Sequence, residues 1–140
     1  MLNSIDIEDL NVGMTESSSQ IISENLIMSF AKISGDTNPV HLSDDYAKQT
    51  VFKKRIAHGL ISASFFSALF GTKLPGEGCV YVAQNLNFKR PVYIGDTVTA
   101  KIEITSIDIN KRRVFFSTTC SVNNKIVIDG AAEIYIPPKA

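Results

Sequence analysis

The 140-residue sequence has no excess of either charge, because fourteen basic side chains balance fourteen acidic ones. A protein that binds nucleic acid or an anionic membrane usually presents a net basic face, so neither is an expected partner. The one dense basic run, Lys111–Arg113, is interpreted as a solvated turn.

Cysteine and long apolar runs are also scarce. Cys79 and Cys120 form neither a CxxC pair nor a metal-ligand spacing, which is typical of small core residues in a reducing compartment. The N-terminal residues MLNSIDIEDL are partly acidic and lack the apolar run of a signal peptide. The longest apolar stretch, residues 60–70, is too short to span a bilayer. We therefore expect a soluble cytoplasmic protein whose residues 1–140 form a single domain.

Three common catalytic signatures are missing as well. The sequence contains no GxSxG motif, no phosphate-binding glycine loop and no dinucleotide fingerprint. A serine hydrolase of the GxSxG type is therefore excluded, and no cofactor is expected.

Two helices are predicted in the first half of the chain. Ser23 suits an N-cap, apolar residues follow at helical spacing, and Gly35 suits the left-handed position after the last turn. Ser43 is a second N-cap candidate, for a short helix from Asp44 to about Gln49.

A third helix is predicted from Gly59 to Phe70. Its side chains leave almost no polar face, so it should be buried on nearly all sides. The second half of the chain alternates apolar and polar residues, as expected for strands of an antiparallel sheet with one wet face. The inward-facing residues are predicted to be Val80, Val82, Leu86, Phe88, Val98, Ala100, Ile102, Ile104, Phe116, Thr118, Cys120 and Val122. A curved sheet around one apolar helix gives an α+β architecture.

Asp36 and His41 are the first candidates for chemistry. They flank an Asn38-Pro39 turn and can meet only if this loop folds back. A carboxylate beside an imidazole can orient and deprotonate a water molecule. Alternatively, Asp36 caps local backbone amides and His41 lies at the surface.

Gly59 is the next candidate, since the free amides at a helix start can stabilise a developing oxyanion. It is equally compatible with a simple helix-entry glycine. Ser67 either bonds back to its own helix or lines a pocket. His58 could complete a metal site with Asp36 and His41, but no ligand-spaced motif supports one, and no metal is expected.

Three motifs occur in order along the chain: FAKISGDTNPVHLSDDYA, RIAHGLISASFFSALFG and LNFKRPVYIGDTV. Together they resemble the successive motifs of MaoC-like (R)-specific enoyl-CoA hydratases, over residues 7–136. One departure is Ser43, which stands where the family usually has an acidic residue.

The resemblance implies a hot-dog fold, in which the sheet wraps a long central helix, and a homodimer. It implies that Asp36 and His41 activate a water that adds to a trans-2-enoyl-CoA. It further implies that the Gly59 amide donates to the thioester carbonyl and that Ser67 lines the acyl pocket. Phe70, one turn further on, would then limit the pocket to short acyl chains. Alternative functions are a hot-dog thioester hydrolase and a non-catalytic module that binds acyl-CoA or acyl carrier protein.

Overall fold

The computed structural model describes residues 2–139, in which a curved antiparallel sheet packs around one central helix. A 3-10 turn at Ile7–Asp9 precedes strand β1 (Thr15–Ile21), and helices α1 (Glu24–Ser34), α2 (Pro39–Leu42), α3 (Asp44–Lys48) and α4 (Gly59–Thr72) follow. The remaining strands are β2 (Val80–Gln84), β3 (Asn87–Phe88), β4 (Thr97–Asp108), β5 (Arg113–Val122) and β6 (Lys125–Tyr135). Within the described residues, the strand order is β1-β4-β5-β6-β2, and β3 pairs with β6. The predicted α+β architecture is confirmed.

The core lies between α4 and the concave face of the sheet. Alternate residues of β4 are fully buried, as the apolar–polar pattern predicts: Val98, Ala100, Ile102 and Ile104. They face buried side chains of α4, including Phe66 and Leu69. The expectation that α4 is buried on nearly all sides is wrong, because its outer face is open: Leu60 is 53% exposed, and Ser64, Ser67 and Ala68 are also exposed.

The ends of the first helices follow from local chemistry. The Ser23 hydroxyl accepts a hydrogen bond from the Leu26 amide at 3.1 Å, and Gly35 ends α1 with a φ of +78°. The Ser43 hydroxyl accepts from the Tyr46 amide at 3.1 Å in the same way. Both predicted helices therefore begin at their predicted caps.

Strand β2 and residue Phe88 differ from the prediction that they bury one apolar face. Val80, Val82 and Phe88 are 45%, 43% and 54% exposed. A register shift interrupts the pairing of β2 with β6 between Tyr81 and Ala83, so the alternation does not continue from residue 80 to 88. The strand lies at the sheet edge, where one side has no neighbouring strand among residues 2–139.

Two elements have no clear signal in the sequence. Strand β1 has the mostly polar sequence TESSSQI and forms only because β4 provides backbone partners along its whole length. Helix α2 is a single turn inside the segment interpreted as a loop. No helix in the described part of the chain is long and apolar enough to cross a membrane.

Candidate active site

His41 lies on the single-turn helix α2 in a defined orientation. Asn38 caps this helix by accepting from the Val40 amide at 3.2 Å, and Pro39 occupies its first position. The His41 ring is buried, and its Nδ1 lies 2.7 Å from the carbonyl oxygen of Ile56. A carbonyl can only accept, so Nδ1 carries the proton, and Nε2 of the neutral ring keeps its lone pair.

Asp36 lies beside this ring and has two structural roles. Its carboxylate accepts a hydrogen bond from the Asn38 amide at 3.2 Å, as the alternative of a local cap requires. Its backbone carbonyl accepts from Nε2 of His58 at 3.0 Å. A carboxylate oxygen of Asp36 and a ring nitrogen of each histidine lie within 4.8 Å of one another. The loop therefore brings Asp36 and His41 together, at a separation that one water molecule can bridge.

His58 joins the same cluster but does not complete a metal site. Its ring stacks on His41 with centroids 3.9 Å apart and an interplanar angle of 29°. Lone pairs lie in the planes of the two rings, so nearly parallel stacked rings direct them alongside each other, not towards one ion. His58 instead connects the Asp36 backbone to the face of the His41 ring.

A cavity of about 330 Å³ opens beside His41. Gly59 lines it as the first residue of α4, where a backbone N–H has no acceptor within its own helix. The space beside the Gly59 Cα is occupied by Phe88, whose ring would lie 2.5 Å from a Cβ atom added there. A side chain at residue 59 would therefore require the exposed Phe88 ring to move.

Ser62 is a cavity residue that the sequence analysis missed. It lines the same cavity as Gly59 and is fully buried. Its hydroxyl has no hydrogen-bond partner among residues 2–139. Two other hydroxyls of α4 bond back to their own backbone, Ser64 to Ile61 and Thr72 to Ala68. Its position in the sequence could have identified Ser62, because it comes three residues after Gly59 and the two therefore lie on one face of the helix.

Residues 11–128 match the family model for the MaoC-like domain. The chain belongs to the MaoC-like family.

Relatives with known names agree with this assignment. The chain is 52% identical to an (R)-specific enoyl-CoA hydratase of Rhodospirillum rubrum, over 94% of this chain and 92% of that protein. It is 48% identical to a 3-hydroxybutyryl-CoA dehydratase of Methylorubrum extorquens, over 94% of this chain and 84% of that protein. The unliganded R-hydratase of Pseudomonas aeruginosa superposes with a TM-score of 0.92 at 40% identity, covering 99% of this chain and 89% of that one. The architecture is accordingly the hot-dog fold.

Ser67 and Phe70, the two residues expected to form the acyl pocket, do not line this cavity. Ser67 is exposed on the outer face of α4, contrary to the expectation that α4 is buried on nearly all sides. Phe70 is 1% exposed, and its ring packs edge-on against Tyr81 and Phe116, with centroids 5.1 and 4.7 Å away. Their roles in substrate binding stay predictions.

Proposed function

We propose that this protein is an (R)-specific enoyl-CoA hydratase, which adds water to a trans-2-enoyl-CoA to give an (R)-3-hydroxyacyl-CoA. The reaction is reversible, so the same site dehydrates the product. The observation that carries the proposal is the approach of the Asp36 carboxylate to the His41 ring, within 4.8 Å, at a cavity that Gly59 also lines. The two relatives that are 52% and 48% identical to this chain are named for the same reaction, which supports the proposal.

The tautomer of His41 gives the two groups distinct parts. Because Nδ1–H is bound to the Ile56 carbonyl, the Nε2 lone pair is available to accept a proton from water. The Asp36 carboxylate accepts a hydrogen bond from the second O–H of that water and orients its oxygen. Water oxygen then bonds to C3 of the enoyl group, one proton passes to the dyad, and C2 receives a proton from it. Addition from the one face that carries both groups is syn.

Charge moves onto the thioester oxygen as the C3–O bond forms. The free Gly59 amide at the start of α4 is the donor that we assign to this oxygen. The dipole of a fourteen-residue helix adds positive potential at the same end. Water activation and charge stabilisation then act on opposite ends of the reacting system.

Substitution of the dyad tests the assignment. Asp36→Asn and His41→Ala should each lower kcat for crotonyl-CoA hydration by roughly 10²- to 10⁴-fold, the usual contribution of general acid–base groups. The double variant should be little worse than either single one, because the two groups act on one water. Asp45→Asn is the matched control, since Asp45 is an exposed carboxylate on α3. A folded single variant with near-normal hydration would refute the roles of Asp36 and His41.

The assay also separates the alternative functions. Hydration removes the enoyl absorbance and leaves the thioester intact, and chiral analysis of the product should show the (R) alcohol. Release of free CoA thiol from the same substrate would instead indicate a thioester hydrolase. Tight binding of crotonyl-CoA without turnover would indicate a binding module.

We further propose that the protein is a homodimer. Strand β2 at the sheet edge exposes Val80, Tyr81 and Val82 by 39–45% of their surface. An edge strand with exposed apolar side chains needs a cover, and a two-fold axis lets the same edge cover itself. Val82→Lys should therefore shift the mass measured by light scattering towards the monomer. Val51→Lys is the control, because Val51 is 85% exposed and lies outside every strand. An active wild-type monomer would refute the dimer.

We place the reaction in the cytoplasm. Cys79 and Cys120 are both free thiols, which supports a reducing compartment.

A further inference from the structure

Arg55 is a buried charged residue that the reaction described above does not use. Its side chain is only 9% exposed. Its Nε donates to the backbone carbonyl of His41 at 2.7 Å. Its two terminal nitrogens bind both carboxylate oxygens of Glu24, at 3.0 and 2.9 Å. Asp44 lies 4.0 Å from one of them.

These partners belong to three different helices. Glu24 is the first residue of α1, His41 lies on α2, and Asp44 is the first residue of α3. A buried guanidinium is costly unless its N–H groups are paired, so its position indicates a specific role for the contacts. The planar group also holds its partners in fixed directions, which a lysine ammonium cannot do.

Helix α2 needs such external support. It contains four residues, and a single helical turn is not stable alone because nucleation is unfavourable. Two consecutive residues hold His41 from opposite ends. The Arg55 side chain binds the His41 backbone carbonyl, and the Ile56 carbonyl accepts from its ring Nδ1.

We propose that Arg55, supported by Glu24, is a positioning residue that sets the orientation of the His41 ring. The inference rests on the proposed role of His41 in hydration. Arg55 does not line the cavity beside His41, and its contact with that site is the hydrogen bond to the His41 carbonyl. Without the Arg55 contact, the His41 carbonyl loses its hydrogen bond and α2 can shift. The His41 ring then no longer lies where it and the Asp36 carboxylate bind the same water.

Two variants and one control test the proposal. Arg55→Lys keeps the charge but cannot bind the His41 carbonyl and both Glu24 oxygens together. Glu24→Gln keeps the shape of the support, removes its charge and perturbs the fold less. The control is Arg113→Lys, which weakens a comparable ion pair with Glu133, 2.7 Å long, on strands β5 and β6.

Two measurements are made on each folded variant. One is kcat and KM for crotonyl-CoA. The other is the nitrogen-15 NMR spectrum of the histidine rings, which reports the tautomer of His41 without any need for turnover. We expect Arg55→Lys to lower kcat by about 10- to 100-fold, in the range of a misplacement near 1 Å, with KM little changed. The distinct protonated and unprotonated ring nitrogens of His41 should become averaged, and Glu24→Gln should give the same changes in weaker form.

The outcomes separate this inference from the proposed function. An unchanged His41 spectrum in Arg55→Lys and Glu24→Gln would overturn the positioning role, whether or not kcat falls. A changed spectrum with unchanged kcat would also overturn it, because ring orientation would then not matter. If the wild-type protein does not hydrate crotonyl-CoA but the spectrum still changes, the contact positions His41 and the proposed reaction is what fails. Arg113→Lys should alter neither measurement.

Discussion

Phe70 provides the sharpest test of how the protein selects acyl chains. Its ring is 1% exposed and lies between Tyr81 and Phe116. Removing a buried phenyl ring costs about 3–5 kcal/mol, a large part of the 5–15 kcal/mol that typically separates folded from unfolded protein. Phe70→Ala therefore risks unfolding, whereas Phe70→Leu leaves a smaller cavity and should cost less.

The expected functional effect is a shift towards longer substrates. If Phe70 closes the acyl pocket, the smaller side chain admits extra methylenes, each worth about 0.8 kcal/mol, or roughly fourfold in affinity. The octenoyl chain has four more methylenes than the crotonyl chain, and burial of two of them would raise kcat/KM for octenoyl-CoA relative to crotonyl-CoA by about 15-fold. The assay compares crotonyl-, octenoyl- and dodecenoyl-CoA on wild type and Phe70→Leu, with Tm measured alongside.

Phe66→Leu is the matched control for this experiment. Phe66 lies one turn earlier on α4 and is fully buried in the same core. Both variants should lose similar stability, and only Phe70→Leu should change the chain-length profile. An unchanged profile would refute the reasoning and show that Phe70 is a core residue alone.

Two further predictions concern buried polar groups. Ser62→Ala should leave Tm unchanged or raise it, since an unpaired buried hydroxyl costs about 1–3 kcal/mol. Thr118→Val should lower Tm in the same calorimetric experiment, because the Thr118 hydroxyl is equally buried and accepts a hydrogen bond from Gln84 at 2.8 Å. A larger loss of Tm in Ser62→Ala than in Thr118→Val would contradict this prediction. Burial raises the pKa of the Cys120 thiol from 9.0 to about 12, so iodoacetamide should modify the half-buried Cys79 first. The Cys120 thiol ionises at a lower pH in the unfolded chain than in the folded protein. Ionisation therefore favours unfolding, so the free energy of unfolding should be unaffected below about pH 9 and should fall as the pH rises towards 12. Urea unfolding at neutral and alkaline pH measures this change.

The parts of the fold that could be predicted depend on short-range rules. A serine cap and a left-handed glycine delimit α1 within eleven residues, and the alternation of β4 is visible along one strand. The Asn-Asn sequence at residues 123 and 124 is typical of a hairpin turn, and both residues adopt positive φ between β5 and β6. Each signal acts between residues that are close along the chain, so sequence alone is sufficient.

The polar strand β1 and the exposed residues of β2 show the limit of such rules. Strand β1 forms because β4 offers it unpaired backbone groups, which its own side chains do not reveal. Val80 and Val82 are apolar and alternate, yet they lie at an edge where the sheet ends. Alternation reports which residues share a face, and only the assembled sheet decides whether that face is covered.

The same division applies to the candidate site. The sequence by itself determined the residue types and the turn that could hold them, since Asn38-Pro39 caps the one-turn helix that carries His41. Tertiary structure alone decided the tautomer of His41, because its Nδ1–H donates a hydrogen bond to the carbonyl of Ile56, fifteen residues away. It also decided the stacking of His58, the burial of Arg55 and the orphan hydroxyl of Ser62. The reason is physical: hydrogen bonding and burial depend on distances between segments, which the order of residues specifies only after the whole chain has packed.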